Sequence, residues 1–283
     1  MTEHNTESTD GHDFRRRTVL EIAGGAGATI GLLGASTGSG AAQPDDEHGQ
    51  NRNRRCYSLS SDNPYFPLQV GQQSVLQGTD DEGVTVRVQV TVFDETEDVA
   101  GITTRVFEER EWESEAEDPT FPDDFDLIEV SENYAAQTCD GTVWYFGEEL
   151  LVFDGEPVEN GGADVGAWRA DDPASAPGIL MTTWPVVGSR WQQEVAPEAA
   201  LDEATIVEAG LAVDLENDDS DTFEDCIRVF EWNPIEGQTG PPSPLPDPLP
   251  EDVPNSWGDE KIFAPGVGII VDEDVELVQF SEG

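Results

Sequence analysis

The 283 residues carry 61 Asp and Glu against 13 Lys and Arg, a formal charge of -48, with three histidines and three cysteines. The carboxylates are spread along the chain among Val, Ile, Phe and Trp, which describes a folded surface kept hydrated in molar salt rather than an acidic tail. Such a surface excludes nucleic acid and anionic membranes as partners, because binding either rests on clustered Lys and Arg. His4, His12 and His48 all precede the expected domain, which removes Ser-His-Asp and Cys-His nucleophiles, histidine acid–base chemistry and the usual imidazole sites for zinc, copper and non-haem iron.

Residues 1–42 read as a twin-arginine (Tat) export signal. A polar start leads to Arg15-Arg16-Arg17-Thr18-Val19-Leu20, in which Arg16 and Arg17 form the motif. A Gly- and Ala-rich, weakly apolar stretch runs from Ile22 to Ala42, too mild for a membrane span. Gly40 and Ala42 offer a cleavage site before Gln43. The expected partner during export is the Tat translocase, and the expected destination is outside the cell or the outer face of its membrane. No lipid anchor is expected, since Cys56 follows the polar run 51–55 instead of the apolar stretch. Residues 43–62, rich in Asp, Asn, Arg and Ser without periodicity, read as a disordered linker.

Residues 63–283 read as one antiparallel β domain. Val84, Val86, Val88, Val90 and Val92 alternate with polar residues, the pattern of a half-buried strand, and Ile102 to Trp112 continues it. Cys139-Asp140-Gly141-Thr142 separates 134–137 from 143–146, and its Asp-Gly pair predicts a type I′ hairpin with both turn residues at positive φ. Asp154-Gly155 repeats the device. Further strands are predicted at 191–195, 205–214, 226–232, 261–264, 268–271 and 276–280. Hairpin following hairpin predicts a mainly β fold, a single curled antiparallel sheet or half-barrel. Between 239 and 254, Pro241, Pro242, Pro244, Pro246, Pro248, Pro250 and Pro254 exclude a central strand and predict a stiff surface loop.

No cofactor and no metal is expected. The run Asp214 to Asp221 fails the EF-hand pattern, with Asp219 where glycine is needed and Asp225 where glutamate is needed. Lys261, the single lysine, reads as a surface or salt-bridging residue rather than a partner for a catalytic serine. Cys139 and Cys226 are the pair an extracytoplasmic disulfide would join. The aromatic residues expected on the concave face, and so the candidates for ligand contact, are Trp144, Phe146, Trp168, Trp184, Trp191 and Trp232.

The phrases Asn63-Pro64-Tyr65-Phe66-Pro67-Leu68, Val143-Trp144-Tyr145-Phe146-Gly147-Glu148, Pro177-Gly178-Ile179, Thr222 to Ile227, Glu231-Trp232 and Ala264-Pro265-Gly266-Val267-Gly268 follow one another in an order that resembles a family of exported, β-rich envelope proteins. The resemblance implies a sheet similar to lipoprotein-carrier domains, which hold apolar material in the concave face, and it brings no catalytic residues. The Pro-rich loop departs from that pattern by replacing a short turn. Three functions stay open: a non-catalytic binding or envelope-assembly domain for an apolar ligand or envelope protein, an extracellular hydrolase using carboxylates alone, and a structural or adhesion module of the cell surface.

Overall fold

β-Branched residues at every second position keep a backbone extended and give it one apolar face, and the run from Val84 to Val92 obeys that pattern. The computed structural model describes residues 57–80, 82–153, 163–164, 167–197, 199–215, 222–250 and 252–283. The twin-arginine motif, the three histidines, Cys56, the Asp154-Gly155 turn and residues 216–221 of the acidic run lie outside them.

One antiparallel sheet contains every strand: β1 (Tyr57–Ser58), β2 (Gln73–Thr79), β3 (Thr85–Val99), β4 (Ile102–Ser114), β5 (Asp126–Thr138), β6 (Val143–Val152), β7 (Ala163–Asp164), β8 (Trp168–Arg169), β9 (Gly178–Met181), β10 (Arg190–Gln192), β11 (Glu203–Val213), β12 (Phe223–Trp232), β13 (Asp259–Ala264), β14 (Gly268–Asp272) and β15 (Val275–Ser281). The main path runs β10-β11-β12-β13-β14-β15-β2-β3-β4-β5-β6, with β7, β8 and β9 sharing the outer edge of β6. The sheet curls until its two ends touch without forming a ladder. Ala176 bridges Val195 through Ala176 N–H donating to the Val195 carbonyl at 2.9 Å, and Gly178 presses on the Gln193 carbonyl, where a Cβ would sit 1.8 Å from the oxygen.

Strand joints follow local chemistry. Val99 faces Ile102 across a two-residue turn in which Ala100 (φ 52°) and Gly101 (φ 74°) both take the left-handed conformation that a tight hairpin needs. The turn after β5 differs from the expected type I′. Of its Asp140-Gly141 pair only Gly141 has positive φ, and the Asp140 carboxylate instead accepts from Thr138 Oγ1 at 2.6 Å and Thr142 N–H at 3.2 Å, which closes a four-residue loop.

The expected linker ends earlier than residue 62. Tyr57 and Ser58 pair with Thr138 and Gln137, and Gln137 Oε1 accepts from Ser61 Oγ at 2.6 Å and Asp62 N–H at 2.8 Å. From there residues 61–72 cross one end of the curled sheet as a strap. Asn63 Nδ2 donates to the Gly141 and Thr182 carbonyls, Tyr65 OH donates to the Asp225 carbonyl at 2.9 Å, and Gly266 N–H donates to the Pro64 carbonyl at 2.7 Å. The strap therefore joins the β5–β6 turn on one side to β12 and the β13–β14 turn on the other.

The main apolar cluster includes Leu68, Phe107, Tyr145, Trp168, Ile206 and Phe263, and a second gathers Leu76, Val88, Ile262, Ile270 and Leu277. The Pro-rich loop is held down by a third: Leu245, Leu249 and Val253 pack against Val207, Phe230 and Trp257. Among the described residues no helix is long and apolar enough to cross a membrane.

At the seam between the sheet's ends, Gly178 leaves no room for a Cβ. Gly178→Ala is expected to push β9 from the 193–195 segment and to lower unfolding stability by about 1–3 kcal/mol, measured as a reduced denaturant midpoint in molar salt.

Candidate binding site inside the curled sheet

Register decides which side chains share the interior. Along β4, Phe107, Glu109 and Glu111 lie on one face, each exposed by no more than 2%. Their cross-strand partners are Val92, Val90 and Val88 on β3 and Asn133, Ser131 and Glu129 on β5. From the opposite wall come Glu231 on β12, Phe263 on β13 and Ile269 on β14. Between the walls, beneath the strap, runs a narrow pocket with about 640 Å³ of empty space including its open mouth, of which ≈ 60 Å³ admits the centre of a water molecule.

The pocket is apolar along its length and acidic at one place. Phe66 and Leu68 from the strap, Val92 and Phe107, and Phe263 and Ile269 form its sides. Glu109 and Glu231 supply the acidic place with the Gln193 amide beside them, and no Lys or Arg is in contact with it.

Behind Glu231 stands Lys261, completely buried. Its Nζ lies 3.0 Å from Glu231 Oε2 and 3.8 Å from Asp272 Oδ1, and Gln193 Nε2 donates to the other Glu231 oxygen at 2.7 Å. Burial alone would lower the lysine pKa, but the Asp272 and Glu231 carboxylates outweigh it and raise the pKa, so the group stays charged. That charge makes it useless as a general base for a serine. The lysine is thus salt-bridging, as expected, but interior and not on the surface. A cation belongs here because the inner face is otherwise a field of acids.

Those acids stay neutral where no cation reaches them. Burial, and then the neighbouring Glu129 and Glu109, raise the Glu111 pKa well above the carboxylate range, and neither Glu111 oxygen finds a hydrogen-bond partner among the described residues. Burial likewise raises Glu148, with Glu129 and Asp202 adding to it. At the seam, Glu194 and Asp202 bond to each other, and Trp168 Nε1 donates to Glu194 Oε1 at 3.1 Å. Burial lifts Glu194 to about 8, and burial followed by the Glu194 charge raises Asp202 well above the carboxylate range. Tyr145 OH donates to Asn133 Oδ1 at 2.5 Å and stands 3.5 Å from Glu148 Oε2, which ties the network to β5 and β6.

The aromatic candidates go elsewhere. Phe146, Trp168 and Trp191 are buried members of the main cluster, with Trp144 packed against it, and none of them lines the narrow pocket. Trp232 lies under Gly240 with the Arg190 guanidinium 4.6 Å above its ring. Trp184 is 74% exposed, on the loop between β9 and β10. The pocket is walled by smaller residues because a slot between two close β walls has no room for indole.

The Cys139–Cys226 disulfide that an extracytoplasmic chain would permit is not formed. Cys139 is exposed on the β5–β6 turn, whereas Cys226 is buried in the second cluster with Sγ 3.4 Å from the Phe223 carbonyl. The two belong to different parts of the curl. Among the described residues no group of three or more His, Cys, Asp or Glu side chains is placed to hold a metal ion.

Two outcomes follow from the charges. Lys261→Met leaves Glu231 and Asp272 without their cation and is expected to lower stability by about 3–5 kcal/mol, read from denaturant melts at constant salt. Glu194 has a folded pKa of about 8, above its unfolded value of 4.5, so its stabilising contribution is complete below that unfolded value and is lost as pH rises through the folded one. Glu111, Glu148 and Asp202 are shifted the same way. Stability should therefore fall between about pH 4.5 and 8, by up to about 1.4 kcal/mol per pH unit for each proton held. Glu194→Gln should flatten that slope in melts across the same range.

Compared with protein-family models, with curated proteins and with solved structures, the chain matches none.

Proposed function

We propose that this chain is a non-catalytic binding or envelope-assembly domain that works in high salt, exported by the Tat translocase to the outer face of the membrane or beyond. Its ligand is an apolar chain held inside the curl. The observation that carries the reading is the narrow pocket between β3–β4 and β12–β14, whose sides are Phe66, Leu68, Val92, Phe107, Phe263 and Ile269. Slots of this kind bury most of a slim ligand's surface, and the stabilisation scales with the apolar area removed from water. Support for export comes from the Arg16-Arg17 pattern.

Binding is favoured over carboxylate hydrolysis by the placement of the acids. A glycosidase needs two carboxyls about 5–10 Å apart across an open cleft. Of the two carboxyls that line the pocket, Glu231 is already held by Lys261 Nζ at 3.0 Å and Gln193 Nε2 at 2.7 Å, and the Glu194–Asp202 pair at the seam is not in contact with the pocket.

Native mass spectrometry of the full chain purified from its own envelope fraction in molar salt tests the reading. An apolar ligand should accompany the wild type and the Trp184→Ala protein. It should be absent from Ile269→Trp, in which the indole fills the slot. Folded wild-type protein with no ligand, and no uptake of an added eight-carbon alcohol, would count against it.

A further inference from the structure

The pocket says more than that its occupant is apolar. Its polar groups are the Glu109 and Glu231 carboxyls with Gln193, Gln72 and Ser74, and no cationic side chain touches it. The nearest lysine stands behind Glu231, already engaged by Glu231 and Asp272. We propose that the pocket selects a slim amphiphile whose alkyl chain ends in an ammonium group, the chain lying between Phe107 and Phe263 and the head meeting Glu109 and Glu231. This rests on the apolar-ligand reading and adds the chemistry of the head.

The argument is one of charge and dehydration. An anionic head placed against Glu109 and Glu231 meets like charges in a dehydrated slot. A hydroxyl head makes only neutral hydrogen bonds. An ammonium brings three donors, matches the carboxyl oxygens, and gains from the low local dielectric that strengthens a desolvated pair. Molar salt screens the long-range field of the surface but not a contact sealed from solvent, so selectivity for the head survives in the milieu the composition implies.

Octylammonium, octanol and octanoate share one tail and differ at the head. Titrated calorimetrically into the full chain at neutral pH and constant molar KCl, octylammonium should bind at least about tenfold tighter than octanol, and octanoate should not bind detectably. Glu109→Gln should bring octylammonium close to octanol while leaving octanol unchanged. Equal affinity for octylammonium and octanol, or a preference for octanoate, overturns the head assignment and leaves the apolar pocket standing. Failure of all three overturns both readings. N-acetyl-lysine methylamide carries the same head on a partner-like side chain, and binding as tight as octylammonium would overturn a free amphiphile in favour of a lysine presented by another protein. The wild-type series decides the question even if the variant fails to fold.

Discussion

A single buried ammonium group makes the interior of this sheet tenable. Lys261 is the only lysine in the chain, it has no exposed surface, and it faces Asp272 directly across the β13–β14 ladder with Glu231 diagonally placed on β12. Removing charges from water costs several kcal/mol for each ion, and the pair recovers that only with close geometry and extra hydrogen bonds. Gln193 supplies one of those bonds. Around this centre burial raises the pKa of the inner acids at Glu111, Glu148, the Glu194–Asp202 pair and Asp272, the last in spite of the opposing pull of Lys261. An acid-rich inner face can thus coexist with a packed sheet.

The fold was legible in the sequence wherever valine alternated. The run from Val84 to Val92 lies in β3, and the predicted strands after residue 200 fall within β11 to β15 to within a few residues. The strap was half legible: Asn63-Pro64-Tyr65-Phe66-Pro67-Leu68 stood out as a phrase, but its bonds to both walls are non-local. The interior was not legible. Glu109 and Glu111 point inward, while Trp112 next to them is less buried, so the usual assignment of carboxylates to solvent inverts on β4. A chain with acids at so many positions offers no local mark for the few that turn inward. The indoles misled for a related reason. Their size suggested a binding face, but size directs them to fill the space between elements, and smaller residues shape the slot.

Scarce cations are placed where a segment must be fastened. Arg105 Nε donates to the Leu59 carbonyl at 3.1 Å and a second nitrogen to the Phe93 carbonyl at 3.2 Å, pinning the N-terminal strand to the bulge in β3. Arg87 sits 4.5 Å over the Phe121 ring and anchors the β4–β5 connection, and Arg169 reaches Glu97 at 3.0 Å from β8. Planar guanidinium groups serve here because they bond carbonyls and stack on rings at once, which an ammonium cannot do.

The Pro-rich connection joins β12 to β13, neighbours in the ladder that a short turn could have linked. Residues 233–258 are used instead. The entropy of closing a loop grows only with the logarithm of its length, so the extra residues cost little more than a turn. Eight prolines also stiffen the unfolded chain and lower what ordering it takes away. Leu245, Leu249 and Val253 then return apolar burial over Phe230 and Trp257. The detour works as a roof, covering aromatic surface that would otherwise face solvent, where exposed hydrophobic patches drive proteins together.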